Sequence, residues 1–293
     1  MRKNKPGSDP FPAQATVIIP AHNEASVIDR CLGSIYNSIK PGEFEVIVVC
    51  NGCTDDTAKV VATRFPLVKL LETPIASKVD ALNYADTEAR YFPRIFLDAD
   101  LTVSADSLRA LISPLQDNKA LASCGRMEID ASRSNVAVKA FYRVWQYNSY
   151  FEQGKFGGLF SVSERGHARI TPFPDVVNDD ELVRRKFCTS DRAYVESCSF
   201  KMTAPLTLDG LIKIRLRAIR GTVQLEKMGY ANSDGASLKR LSKMMARVIR
   251  KPSAWLSLPV YLLLSGYIRC KGMLTRPKTS DSWERDETSR KYA

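Results

Sequence analysis

Histidine is almost missing from this chain, with 2 in 293 residues. Neither His22 nor His167 has a cysteine or carboxylate beside it at the spacing a zinc ligand set uses, so no zinc site is expected. Long hydrophobic runs are missing too. The most apolar segment, SAWLSLPVYLLLSGYI, has an uninterrupted part of about 15 residues and contains Pro259, whereas crossing a bilayer takes ~20. The start MRKNKPGSDPFPAQ holds no apolar stretch that would serve as a signal peptide, and the seven cysteines follow no repeated spacing. Free thiols in a reducing cytoplasm are therefore expected. Cys50 and Cys53 form a C-x-x-C, but no second such pair exists to complete a redox or zinc centre. No internal repeat, zinc-finger motif or RNA-binding motif is present, so no nucleic-acid partner is expected.

The charge is uneven. The net value is +11. From Lys201 onward there are 19 Lys and Arg against 7 Asp and Glu, a surplus of 12, which leaves residues 1–200 at −1. A basic surplus of this kind marks contact with phosphate, on a nucleotide or on an anionic membrane surface. The apolar segment lies inside this basic third. Trp255, Tyr261 and Tyr267 suit a membrane interface and the flanking Arg and Lys suit anionic headgroups, so an in-plane anchor is expected rather than a span. A buried core helix is the alternative.

The pattern of the first two thirds is α/β. Ala15–Pro20 is a β-branched run ending at a proline. A helical pattern opens at Asn23-Glu24, and a second buried strand follows at Phe44–Cys50. A helix from about Asp55 to Phe65, a short strand at Val68–Leu71, a helix around Lys78–Tyr91 and a strand from Arg94 continue the series. Strand, helix and strand in succession close right-handed into a parallel sheet. Ligands gather at the carboxyl ends of such strands, so the loops after Ile19, Val49 and Leu97 should converge on one crevice. Further on, the sequence predicts a strand near Leu121–Ile129, an aromatic helix near Val136–Phe151, a turn at Gly157-Gly158 and a helix from about Asp180. The expected organisation is a tail over 1–13, the α/β domain over 14–205, a basic helical membrane-associating segment over 206–275, and a polar tail over 276–293.

Two constellations carry chemistry. Asp98-Ala99-Asp100 follows an apolar strand; alternation along a strand would put both carboxylates on one side, where they could hold a hard divalent cation. Asn178-Asp179-Asp180-Glu181 opens a helix bearing Arg184 and Arg185. Its acids either complement the helix N-terminus or supply a general base, and both roles can coexist.

The segments TVIIPAHNEASVIDRCLGSI, FEVIVVCNGCTDDTA, SKVDALNYA and RIFLDADLTVSADSL, in that order, resemble the successive signatures of the family 2 inverting glycosyltransferases of the GT-A fold. The likeness continues more loosely through GGLFSVSERG to FPDVVNDDELVRRKF and spans roughly residues 14–190. It implies a mostly parallel sheet flanked by helices, with a nucleotide-binding half and an acceptor half. It also implies an inverting transfer of sugar from a nucleoside diphosphate donor, UDP or GDP type, to a hydroxyl. By this likeness Pro20, Ala21, Asn23, Glu24, Asn51 and Asp55 lie beside the nucleoside, and Lys78 near the donor phosphates. Asp98, Ala99 and Asp100 form the donor motif, with Mg or Mn on the two carboxylates. Asp180 is the general base and Asp179 its orienting neighbour. Where many members carry an acid, this chain has Asn51; an amide offers both donor and acceptor, so the base stays open. The Q-x-x-R-W motif of processive synthases is absent, which points to single sugar addition. The acceptor is expected to be a saccharide or lipid-linked saccharide in polysaccharide assembly, at the inner face of the cell membrane. The alternatives are a nucleotidyltransferase, disfavoured because PAHNEA is not a glycine-rich phosphate loop, and an inactive scaffold that binds a nucleotide sugar or lipid.

Overall fold

The structure, a computed structural model, describes residues 13–148, 151, 156–230, 237–274 and 290. Most of both expected tails lies outside the described residues. In chain order the elements are β1 (Ala15–Ala21), α1 (Ile28–Tyr36), β2 (Phe44–Asn51), α2 (Thr57–Arg64), β3 (Lys69–Thr73), α3 (Lys78–Glu88), β4 (Arg94–Leu97), β5 (Leu101–Val103), α4 (Ala105–Gln116) and β6 (Ala122–Asp130). They continue with α5 (Val136–Trp145), β7 (Leu159–Val162), α6 (Glu164–Ile170), α7 (Asp179–Lys186), β8 (Arg192–Thr203), α8 (Leu208–Lys227), α9 (Ser237–Ile249), α10 (Pro252–Trp255) and α11 (Leu258–Leu274).

All seven residues of β1 are buried, as befits a central strand covered on both faces. Its side chains alternate between two cores: Val17 and Ile19 pack with Ile28, Leu32 and Val48 on one face, while Ile18 packs with Ile47, Val49 and Leu82 on the other. The eight strands form one sheet in the order β3-β2-β1-β4-β7-β6-β8-β5. The pairs β1·β2, β2·β3, β1·β4 and β6·β8 are parallel. β4·β7, β6·β7 and β5·β8 are antiparallel. The expected α/β class with a largely parallel nucleotide-binding half is present. The antiparallel β7 enters beside β4 and brings Gly158 against Asp98.

Two expected boundaries move. The helix expected from Asn23 starts at Ile28, because Asn23 has φ +50 and cannot sit in a right-handed helix. The strand expected through Asp98-Ala99-Asp100 ends at Leu97, and these residues form a turn closed by Leu101 N donating to Asp98 O at 3.2 Å. Strand alternation is therefore not what places the two carboxylates. Strand β8 was not anticipated.

Behind the sheet a third core joins α5 to the C-terminal helices: Phe141, Tyr142, Val144 and Trp145 pack with Leu211, Met244, Val248 and Tyr261. Tyr261 is 8% exposed and lies 5.1 Å from Phe141, so this expected interfacial aromatic faces inward. The rest of the segment divides. Trp255, Leu256, Leu263, Tyr267, Met273 and Leu274 remain exposed. No helix among the described residues is long and apolar enough to cross a membrane.

Three shielded glutamates fasten the frame. Glu43 is forked by Arg109, whose Nε and Nη2 donate at 2.6 and 2.7 Å. Glu45 accepts from Arg90 at 2.7 Å and from Thr16 Oγ1 at 2.7 Å. Glu181 is held by both Arg184 and Arg185. The Arg109 bond lowers the Glu43 pKa; for Glu45 and Glu181, burial opposes the charge but the arginine partners outweigh it and hold the pKa low. A depressed folded-state pKa stabilises above the unfolded value of about 4.3 and is lost as pH falls through the lower folded value. Unfolding free energy should stay level from pH 7 to about pH 5 and fall below about pH 4. Urea titrations across this range check it; a steep loss already above pH 5 would count against it.

Candidate functional site

Three loops meet at the carboxyl ends of β1, β2 and β4. The first two are laced together. Asn23 Oδ1 accepts from Thr54 N at 2.6 Å and Asp55 N at 3.3 Å, Ala25 N donates to Asp55 Oδ2 at 3.1 Å, and Glu24 N donates to Thr57 Oγ1 at 2.8 Å. Asn23 and Asp55, expected beside a nucleoside, thus use their side chains to set the shape of each other's loops. Pro20 and Ala21 end β1, buried, with Ala21 O accepting from Cys53 Sγ at 3.2 Å. At the end of β2, Asn51 is fully buried, and neither its amide nitrogen nor its amide oxygen has a partner. An unsatisfied buried donor and acceptor each cost about 1–3 kcal/mol. Such a residue in a ligand crevice suits pairing with a complementary edge.

The third loop carries the acids. Asp98 N donates to Gly158 O at 2.8 Å, anchoring the turn to the loop before β7. Lys78, at the first position of α3, reaches Asp98 Oδ1 at 2.7 Å and Asp179 Oδ1 at 2.9 Å. The lysine is 16% exposed and Asp179 5%. Lys78 is thus a shielded, doubly paired cation and not a solvated side chain at a helix start. Burial alone would lower the Lys78 pKa, but the carboxylates of Asp179 and Asp98 outweigh it and hold the ammonium charged well above the ordinary lysine range. One cation therefore ties together two acids 81 positions apart in sequence.

Asp179 and Asp180 open α7, and α8 fixes where they stand. Gln224 Oε1 accepts from Val177 N at 2.9 Å and its Nε2 donates to Asp175 O at 3.0 Å. Asn178 Nδ2 donates to Ala218 O at 3.0 Å. Gly221 permits this contact, because a Cβ there would lie 2.3 Å from Asn178 Cγ. The acids also complement the positive end of the helix, so both roles proposed for them remain compatible. Asp180 is half-buried and lines a cavity of about 400 Å³ whose walls include Phe141, Trp145, Tyr261, Arg184, Arg215 and Arg269. Arg215 stacks over Trp145 at 5.0 Å.

Asp98 and Asp100 are 36% and 38% exposed and offer hard oxygen donors. No cluster of three His, Cys, Asp or Glu able to hold a metal occurs among the described residues. Two accessible carboxylates with no third ligand fit a divalent cation completed by phosphate oxygens and water. Ala99, between them, is buried. His22 Nδ1 lies 2.6 Å from Asn51 O, and His167 pairs with Asp86 at 2.7 Å. That partner stands 81 positions away, out of reach of spacing arguments. The seven cysteines are free.

One site residue had no signal in the sequence. Arg290, in the polar C-terminal stretch, donates to both carboxylate oxygens of Glu24, at 2.7 and 2.8 Å, and to Asp100 Oδ2 at 3.2 Å.

Gly158 has φ +81, and a Cβ on it would come within 2.9 Å of Asp98 Oδ2 and 2.8 Å of Leu101 Cδ1. Gly158→Ala should destabilise the fold by about 1–3 kcal/mol through backbone strain. By displacing Asp98 it should also weaken divalent-cation binding about tenfold. Thermal unfolding and Mn2+ titration test both; wild-type values in each would refute the packing argument.

The sequence and fold have clear relatives. Residues 16–169 match the profile of "Glycosyl transferase family 2". Among solved structures, a mannosyltransferase from Pyrobaculum calidifontis, in complex with GDP-Man and Mn2+, superposes with a TM-score of 0.58 at 22% identity, covering 89% of this chain and 76% of its own. Glucosyl-3-phosphoglycerate synthase from Mycobacterium tuberculosis, in complex with phosphoglyceric acid, gives a TM-score of 0.54 at 16% identity, covering 75% and 82%. The same synthase with Mn2+, UDP and glucosyl-3-phosphoglycerate gives 0.54 at 15% identity. No curated protein matches the sequence. The family profile spans just over half of the chain and includes every loop of the donor crevice. The chain belongs to glycosyl transferase family 2, and it is a glycosyltransferase with the GT-A architecture.

Proposed function

We propose that this enzyme transfers a sugar, with inversion, from a nucleoside diphosphate donor to the hydroxyl of an amphiphilic acceptor. The observation that carries the reading is the Lys78 bridge, which sets Asp98 of the donor motif beside the Asp179-Asp180 pair. Donor activation and proton removal are then neighbours. The solved relatives, crystallised with GDP-Man and Mn2+ or with UDP-glucose and Mn2+, support the donor class and the cation. Mg or Mn on Asp98 and Asp100 would neutralise charge on the departing diphosphate.

The chain's own residues do the rest. The unpaired amide of Asn51 offers a donor and an acceptor to the base edge, from the carboxyl end of β2. Lys78, charged and shielded, stabilises negative charge that builds as the diphosphate leaves. Asp179, paired with Lys78, opens α7 beside Asp180, which lines the cavity wall. Asp180 receives the proton from the acceptor hydroxyl as it attacks, worth about 10²–10⁴-fold. A single base with attack opposite the leaving group gives inversion.

The cavity beside Asp180 combines aromatic walls with arginines, which suits an acceptor with an apolar body and an anionic group. A lipid-linked saccharide has both. Exposed Trp255, Leu256, Leu263, Tyr267, Met273 and Leu274 lie among Arg250, Lys251, Arg269 and Lys271, and a peripheral contact with an anionic bilayer surface would cover them. Polysaccharide assembly at the inner face of the cell membrane fits this reading. The basic helical segment 206–275 would then serve both as acceptor wall and as membrane contact, beside a transferase unit over 14–205.

Calorimetric titration with UDP, GDP and dTDP, each with and without Mn2+, tests the donor site. One nucleotide should bind with a requirement for the cation, and Asp100→Ala should abolish the cation effect. A folded wild type that binds none of the three would overturn the proposal in favour of an inactive scaffold.

A further inference from the structure

The donor crevice gathers more acid than the transfer reaction uses. Glu24, Asp98, Asp100 and Asp179 converge there, and Lys78 compensates only Asp98 and Asp179. The guanidinium that meets the other two comes from the far end of the chain. Arg290 Nε donates to Glu24 Oε2 at 2.7 Å; its Nη2 donates to Glu24 Oε1 at 2.8 Å and to Asp100 Oδ2 at 3.2 Å. Its side chain is 12% exposed and that of Glu24 is 6% exposed, against 38% for Asp100. The planar fork matches the Glu24 carboxylate edge-on, and the second leg reaches sideways to the acid assigned to the metal.

We propose that Arg290 is a built-in counter-cation of the donor site, which shares Asp100 with the divalent metal and competes with it. The inference rests on the reading of Asp98 and Asp100 as the metal's carboxylates. A guanidinium keeps its charge at every accessible pH, so it cannot leave by deprotonation. A divalent cation taking Asp100 Oδ2 must break that leg of the fork and accept a positive neighbour a few ångströms away. The Glu24 leg need not break, since its two-point contact with a carboxylate shielded from water does not involve the metal's ligand oxygen. Arg290 therefore stays in the crevice after the metal arrives, with its Nη2 donor freed from Asp100. Metal binding is in this way set against a defined internal rival, the Arg290 contact to Asp100, rather than against water alone.

The test is Mn2+ affinity of the full-length chain without nucleotide, read by calorimetry or by the paramagnetic resonance of free Mn2+. If Arg290 occupies Asp100 about nine-tenths of the time, the wild-type dissociation constant is raised about tenfold over the intrinsic one. Arg290→Ala and Arg290→Gln should both bind Mn2+ about tenfold more tightly than wild type. Arg290→Lys, which keeps the charge but not the fork, should fall between. A purely structural clamp would leave affinity unchanged or weaken it, and either result in both neutral variants, with wild-type thermal unfolding, overturns the proposal. Asp100→Ala separates the two layers of the argument. If it abolishes Mn2+ binding while the Arg290 variants match wild type, the metal site stands and the competition falls. If Mn2+ binds equally well without Asp100, the metal assignment fails and takes the competition with it.

Discussion

A single shielded ammonium, Lys78 Nζ, sits between Asp98 and Asp179, and the arrangement of the site follows from it. Two carboxylates brought this close repel each other, and burying either alone is costly. The lysine between them ties the loop after β4 to the start of α7. Lys78 is itself fixed by α3, whose first turn is capped by Ser77 accepting from Asp80 N. The turn carrying Asp98 and the start of α7 carrying Asp179 thus lean on the same helix end.

The surrounding frame protects that contact. Gly158 gives the Asp98 carboxylate room from one side, and the Asp98 amide is tied to Gly158 O. Gly221, Ala218 and Gln224 of α8 grip the chain from Asp175 to Asn178 just before the base pair. Helix α8 also walls the cavity that Asp180 lines, so one element holds the chain leading into α7 and shapes that cavity. The basic C-terminal third takes part in this packing. It packs through α11 and α8 against α5 and shares a core with them.

Much of the fold was legible because hydrophobic periodicity is local. The strands β1, β2 and β4 and the helices between them follow from runs of Val, Ile and Leu and from the 3.6-residue repeat. The order of the four motifs carried the family. What was not legible depends on contacts far apart in sequence. Asn23 reads as a helix opener until the β2 loop demands its side chain and a left-handed backbone. Asp98 and Asp100 read as strand residues, but β7, arriving antiparallel, turns the chain at Leu97. Tyr261 reads as interfacial in a string of apolar residues, and only the packing of α11 on α5 turns it inward. Arg290 lies 266 positions from Glu24, beyond any spacing rule.

The central claim is that Lys78 couples donor activation to the base, and the pH profile of turnover tests it most directly. With the sugar nucleotide that the site accepts, wild type and Lys78→Met should be compared from pH 5 to 9, alongside thermal unfolding. Without the ammonium, Asp98 and Asp179 would lose the cation that bridges them. Turnover should fall by about 10²-fold or more, and the acid limb of the profile should move up by about one pH unit or more. A folded variant with a rate within about threefold of wild type and an unmoved acid limb would contradict the account, since a change that small is under 1 kcal/mol in the barrier.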